Sequence, residues 1–297
     1  MRVLPTIFVV IATSAAANAQ NFGSWVEADG HFSLGYTDRV PGGDAFLTGD
    51  ATLRFSPDFT GPFGFELGVY GRTDALDTPH ETYGALTWDI GNAGRLSVGV
   101  PRPAYDGFAV SALEKSFPSL GIDRTGTTRS ATTFGAMFAN WLPYGVGFSN
   151  ETDTFRYAVS VHNASNVDRT ATSFGAATEI GDWLLSGAVE VVWGGASTEV
   201  SGKLQAQNDF GPVTAGAGFY SPGAVGGSDV VELFASVDPI DRLTLSGVIQ
   251  VPVDGATDPT AGIAARYGIT DNIALSAGVA SDAGSDAVVN AFVDFRF

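Results

Sequence analysis

The sequence predicts an all-β protein: a transmembrane antiparallel β-barrel of sixteen strands. Three observations predict it. Runs of residues alternate apolar and polar with period 2, the signature of a strand with two unlike faces. The turn-rich stretches between the runs alternate short and long. The chain stops on "VVNAFVDFRF" (288–297), which places Val289, Ala291, Val293, Phe295 and Phe297 on one strand face. Asn290, Phe292, Asp294 and Arg296 fall on the other. An unpaired apolar edge there would invite aggregation, so this strand is expected to be paired on both sides, with its apolar face against lipid.

The chain begins "MRVLPTIFVVIATSAAANAQ": Arg2, an apolar run, then small residues. Ala17-Asn18-Ala19 fits the A-x-A pattern of a secretory signal, and the apolar run is too short for a membrane anchor. Residues 1–19 are therefore expected to be cleaved, leaving a barrel domain over 20–297, 297 − 19 = 278 residues, and moving the formal charge from −17 to −18. No later stretch is apolar enough for a membrane helix, so the remainder is either soluble or membrane-embedded as a barrel. The absence of cysteine excludes disulfides and thiolate chemistry. The acidic balance argues against nucleic acid as a partner.

Seven short turns follow from Gly, Pro, Asn and Asp clusters: 56–62, 89–95, 149–154, 179–183, 208–212, 238–242 and 268–272. Eight longer polar segments lie between them: 37–45, 71–82, 101–130 or beyond, 162–172, 194–199, 221–230, 252–260 and 281–286. Fifteen connections join sixteen strands. In "PFGFELGVY" (62–70), Phe63, Phe65, Leu67 and Val69 share a face opposite Glu66. "FRYAVSV" (155–161) sets Phe155, Tyr157, Val159 and Val161 against Arg156, and "GKLQAQ" (202–207) sets Leu204 and Ala206 against Lys203. Most runs approach the 9–11 residues that a tilted membrane strand needs, about 160 residues in all.

A secreted β-sandwich also alternates. Against it stand the small or polar residues opposite the apolar face, the alternation of turn lengths, and aromatic residues gathered at strand ends. Trp25, Trp88, Trp141, Trp183, Tyr267 and Phe297 are among the aromatics expected to form interfacial girdles.

With the signal sequence, the sixteen alternating strands, the terminal Val293-x-Phe295-x-Phe297 and the extended third long segment in view, the whole mature chain resembles a bacterial general porin of the alphaproteobacterial type. The resemblance implies an outer-membrane protein of a Gram-negative bacterium, a homotrimer among lipids, with a water-filled pore for passive diffusion of small hydrophilic solutes and ions. It also implies that the third long loop narrows the pore, its acidic groups facing basic groups on the wall. The loop "PRPAYDGFAVSALEKSFPSLGIDRTGTTRS" (101–130) offers Asp106, Glu114 and Asp123. His31, Arg54, Arg156, Lys203 and Arg266 have non-lipid parity on the wall, and Arg102 lies at the loop root. Val293, Phe295 and Phe297 resemble the signal read by the barrel-assembly machinery. Glu66, Glu190 and Glu232 on lumenal parity, with the net charge, predict mild cation preference.

Enzyme readings find no support. His31, His80 and His162 lack metal-ligand spacing, and neither G-x-S-x-G nor G-x-x-x-x-G-K-[ST] occurs. No cofactor is expected, although "DRVPGGD" (38–44) and "SPGAVGGSD" (221–229) offer oxygen ligands for loop-bound Ca²⁺ without the usual spacing. Two alternatives remain: a substrate-specific diffusion channel, with saturable and solute-blocked current, and a non-conducting structural or adhesive barrel.

Overall fold

In a computed structural model the described residues are 26–39, 44–55, 62–73, 79–120, 126–195, 197–255, 258–281 and 287–297. The expected signal segment, Trp25 and the loop residues Asp123 and Arg124 lie outside them. The strands are β1 (Val26–Thr37), β2 (Asp44–Phe55), β3 (Phe63–Thr73), β4 (His80–Asp89), β5 (Arg95–Val100), β6 (Tyr144–Glu151), β7 (Phe155–Ala164) and β8 (Arg169–Ile180). Then come β9 (Trp183–Trp193), β10 (Glu199–Phe210), β11 (Val213–Ser221), β12 (Val230–Ile240), β13 (Leu243–Pro252), β14 (Thr260–Gly268), β15 (Ile273–Ser281) and β16 (Ala287–Arg296). Each pairs antiparallel with its sequence neighbours, and β16 pairs with β1 to close the barrel.

The predicted count of sixteen and the alternation of short and long connections are both borne out. Short turns such as 181–182, 211–212 and 241–242 lie at one rim. The long connections lie at the other, the third running from 101 to 143. One predicted loop shrinks. Segment 162–172 is mostly strand, because β7 continues to Ala164 and β8 starts at Arg169, leaving residues 165–168 as the turn. Asn163 and Thr170 read as loop residues by composition, yet they face each other in the ladder and hydrogen-bond at 2.9 Å. Cross-strand pairing overrides weak strand propensity here.

The closure answers the final strand. Gly30 and Phe297 exchange both backbone hydrogen bonds, each 3.1 Å, and Phe32 stacks on Phe295 with centroids 4.7 Å apart. Along the described strands no Asp, Glu, Lys or Arg occupies an outward-facing register position. Outward positions carry exposed apolar groups instead, such as Leu86 at 68 % and Ile263 at 67 %. Water would meet this shell at a cost of about 25 cal/mol per Å² of apolar surface, so the outer face is built for hydrocarbon.

The inward face is less uniformly polar than the alternation suggests. Phe46, Val248, Val288 and Phe292 point inward and are buried. Val248 and Val288 are buried because the third long connection enters the barrel and packs against this wall, whereas Phe46 and Phe292 pack on each other, ring centroids 5.9 Å apart.

Candidate functional site: the loop-filled lumen

The inserted loop is organised by its own sequence. Among the described residues it carries a short 3-10 turn (Ala104–Gly107) and two α-helices, Ala112–Ser116 and Ala131–Ala139. Serine begins both helices. Ser111 accepts from the Leu113 and Glu114 amides, and Ser130 accepts from the Thr132 amide. These side chains satisfy N–H groups that a helix start leaves unpaired. Asn140, at φ 54°, ends the second helix in the left-handed region that asparagine tolerates.

The wall then completes each cap with a glutamate. Glu232 on β12 accepts from the Ala112 amide at 2.8 Å, Leu113 at 3.3 Å, the Ser111 hydroxyl at 2.5 Å, Tyr220 at 3.0 Å and Gln250 Nε2 at 2.9 Å. Glu190 on β9 accepts from the Ala131 amide at 2.7 Å and from the hydroxyls of Ser130 and Ser173. Both glutamates are fully buried. Each is surrounded by donors, and a helix start favours negative charge, so each is a receptor for one loop helix.

Further hydrogen bonds extend the docking around the wall. Ser160 and Ser186 accept from the Ala104 and Ala109 amides, each at 2.9 Å. Gln205 donates to the Val110 carbonyl at 3.1 Å, and Arg72 donates to the Leu120 carbonyl at 2.8 Å. Leu113, Phe117 and Leu120 of the loop form one apolar cluster with Val248, Ala280 and Val288 of the wall. Gly262 and Gly278 make the seat: a Cβ at either position would stand 2.6 Å from the Phe117 ring.

The residues expected at the constriction occupy definite places. Asp106 is buried and stitches the loop to itself, accepting from the Ser130 amide at 2.5 Å and from the Thr133 hydroxyl. Glu114 is buried against Arg129 and accepts from Thr128 at 2.9 Å. Arg129 in turn lies 4.1 Å from the Tyr70 ring centroid. Burial alone would lower the Arg129 pKa; the facing Glu114, Tyr70 and Asp106 outweigh it and hold the guanidinium above the ordinary arginine value. Asp123 lies outside the described residues.

The wall cations are divided. Lys203 is buried rather than open: its ammonium donates to the Thr128 carbonyl at 2.5 Å and lies 4.2 Å from the Tyr105 ring centroid. Arg102 pairs with Asp50 at 3.0 Å, and the exposed His31 reaches the same carboxylate at 3.2 Å. Arg54 pairs with Glu66 at 3.1 Å and Glu27 at 3.5 Å. Arg266 lies 3.7 Å from Asp294, which also accepts from Ser33 at 2.6 Å. Arg156 is exposed, with its guanidinium 5.4 Å from the Phe108 ring centroid.

The charge layout differs from loop acids facing wall bases across an opening. Wall carboxylates hold loop N–H groups and Arg102, while loop acids pair within the loop. Glu190 and Glu232, read from parity as pore-facing charge, have the predicted direction but are covered by the loop. Sequence reasoning also missed Asp50, Tyr70, Arg72 and Arg129. One usable signal was present: Ser111-x-x-Glu114 has the spacing of a capping box and marks the first loop helix.

Beneath the loop, at the short-turn end, lies a cavity of about 770 Å³. Arg54, Glu66, Arg95, Arg102, Arg156 and Phe108 are among the residues lining it. Among the described residues, no group of three or more His, Asp or Glu side chains could hold a metal ion.

No protein-family model and no curated protein sequence matches the chain. Solved structures do. One variant of Rhodopseudomonas blastica porin superposes with a TM-score of 0.67 at 17% identity, and another with 0.67 at 16%. A structure described under asymmetric conductivity of engineered proteins gives 0.65 at 18%. Each covers 92% of this chain and 100% of its own. Likeness at this identity speaks for the fold, and with the closed register and the inserted third loop it establishes that the chain has the sixteen-stranded porin fold.

Proposed function

We propose that the chain forms a water-filled channel across an outer membrane, passing small hydrophilic solutes and ions by passive diffusion. One observation carries the reading: a closed sixteen-strand cylinder holds its strand charges on the inside and its exposed apolar groups on the outside. Closure leaves no bare backbone edge for lipid to meet, and sixteen strands enclose an aqueous lumen. The inserted loop sets the bore. No catalytic constellation is invoked. Export by a cleaved 1–19 segment, insertion through the Val293, Phe295 and Phe297 pattern, and assembly as a homotrimer belong to the same proposal.

Mild cation preference is the expected sign of selectivity, with its source moved. Glu190 and Glu232 are buried, so the preference is assigned to the long-rim connections, where Asp168, Asp229, Asp254 and Asp258 concentrate cations at the mouth. Purified protein in planar bilayers is expected to give stepwise ohmic conductance. A KCl gradient is expected to give a reversal potential of cation-selective sign that shrinks as salt rises, because exposed charges are screened. A barrel that inserts without conducting would leave the structural or adhesive reading in its place.

A further inference from the structure

We propose that the cavity beneath the loop is a binding site for the carboxylate of a small organic anion, with Arg156 as its receptor on a platform formed by Phe108; as a statement about solutes, this rests on the channel reading.

The cavity's other guanidinium groups are engaged. Arg54 holds Glu66 and Glu27, Arg95 holds Asp89 at 2.7 Å, and Arg102 holds Asp50. Arg156 lines the same cavity, is exposed to it, and has no carboxylate within ion-pair distance among the described residues. Its partner is the Phe108 ring, whose centroid lies 5.4 Å from the guanidinium carbon, a π contact that does not consume the N–H donors a planar anion would use. Glu151, opposite Arg156 in the β6–β7 register, also lines the cavity; it is exposed and makes no ion pair with Arg156.

The platform is rigid. Phe108 is buried with Tyr105, Ala177 and Ala188. Its ring lies where a Cβ on Gly175 would be, 2.2 Å away, so that wall position admits the ring only as glycine. Preorganisation of this kind removes the ordering cost of gripping a ligand.

The test uses gluconate, with glucose as a neutral probe of similar size. Calorimetry on the purified protein in detergent reads binding whether or not the barrel conducts. Gluconate is expected to bind and glucose not to, with affinity falling as KCl rises. Arg156→Gln is expected to weaken gluconate binding about tenfold or more, as loss of a charge-assisted bidentate contact would, and Phe108→Leu to weaken it less. In bilayers with constant KCl, gluconate is expected to block current and R156Q to relieve the block, read as the fraction of each variant's own open-channel current that gluconate removes. Equal binding of glucose and gluconate, or gluconate affinity unchanged in R156Q, would overturn the site. Gluconate binding in a barrel that never conducts would uphold the site and remove the channel reading.

Discussion

Glu232→Gln is expected to detach the first loop helix from the wall, lowering the stability of the docked loop by about 3 kcal/mol. The carboxylate accepts five hydrogen bonds and donates none. A glutamine amide has one oxygen, and its nitrogen would point N–H groups at other N–H and O–H groups. A buried donor left unpaired costs about 1–3 kcal/mol; the Ala112 amide loses its carboxylate acceptor, while the Leu113 amide keeps Ser111. Limited proteolysis within 101–143 should speed up, and open-channel current should grow larger and noisier, while far-ultraviolet dichroism of the barrel stays unchanged. Glu190→Gln should act in the same direction on the second helix. If both variants kept wild-type protease resistance and current noise, the carboxylates would not be the clamps.

Phe117→Ala is expected to cost the docked loop about 3–5 kcal/mol, the usual loss when a buried phenylalanine leaves a cavity. The ring is fully buried between Val248, Ala280 and Val288 and rests on the two seat glycines. The converse change probes the same contact from the wall. Gly262→Val drives side-chain atoms into the ring and should cost about 1–3 kcal/mol by overpacking. The double variant should be better than the sum of the two, because valine fills part of the space that the ring vacates; such non-additivity marks direct contact. Thermal unfolding read from Trp fluorescence, alongside protease resistance of the loop, checks all three. Strict additivity would show that Phe117 and Gly262 are not packed together as described.

Features of the fold written in local periodicity could be read from the sequence; features set by distant partners could not. Sixteen strands and the alternation of connections were legible because turn chemistry and period 2 are properties of neighbouring residues. Side-chain direction was legible for the same reason: Arg54, Arg156, Lys203, Arg266, Glu190 and Glu232 all face inward as parity requires. What each meets there was not. Lys203 reads as an open wall charge until the Thr128 carbonyl covers it, and Glu232 reads as pore charge until Ser111 arrives from 121 residues earlier in the chain. Phe292 interrupts the polar face of the final strand, and its reason is Phe46, whose ring centroid is 5.9 Å away across the barrel seam. The expectation of loop acids facing wall bases came from family resemblance, and this chain uses its wall carboxylates as helix caps instead.

The seam between β1 and β16 sets an order of events. Ser33 and Asp294, hydrogen-bonded to each other, are 261 residues apart, and Gly30 meets Phe297. Such pairing closes a very large loop of chain, so it is expected to be the slow and late step of folding. Before it forms, the sheet is an open ribbon and the 101–143 segment can swing against either face. After it forms, that segment can reach Glu190 and Glu232 only by way of the long-connection rim. The helices have therefore to be threaded while the ribbon is still curling, or lowered into a finished cylinder from above. Pulsed hydrogen exchange, comparing the Ala112 and Ala131 amides with those of Gly30 and Phe297, would tell the two itineraries apart.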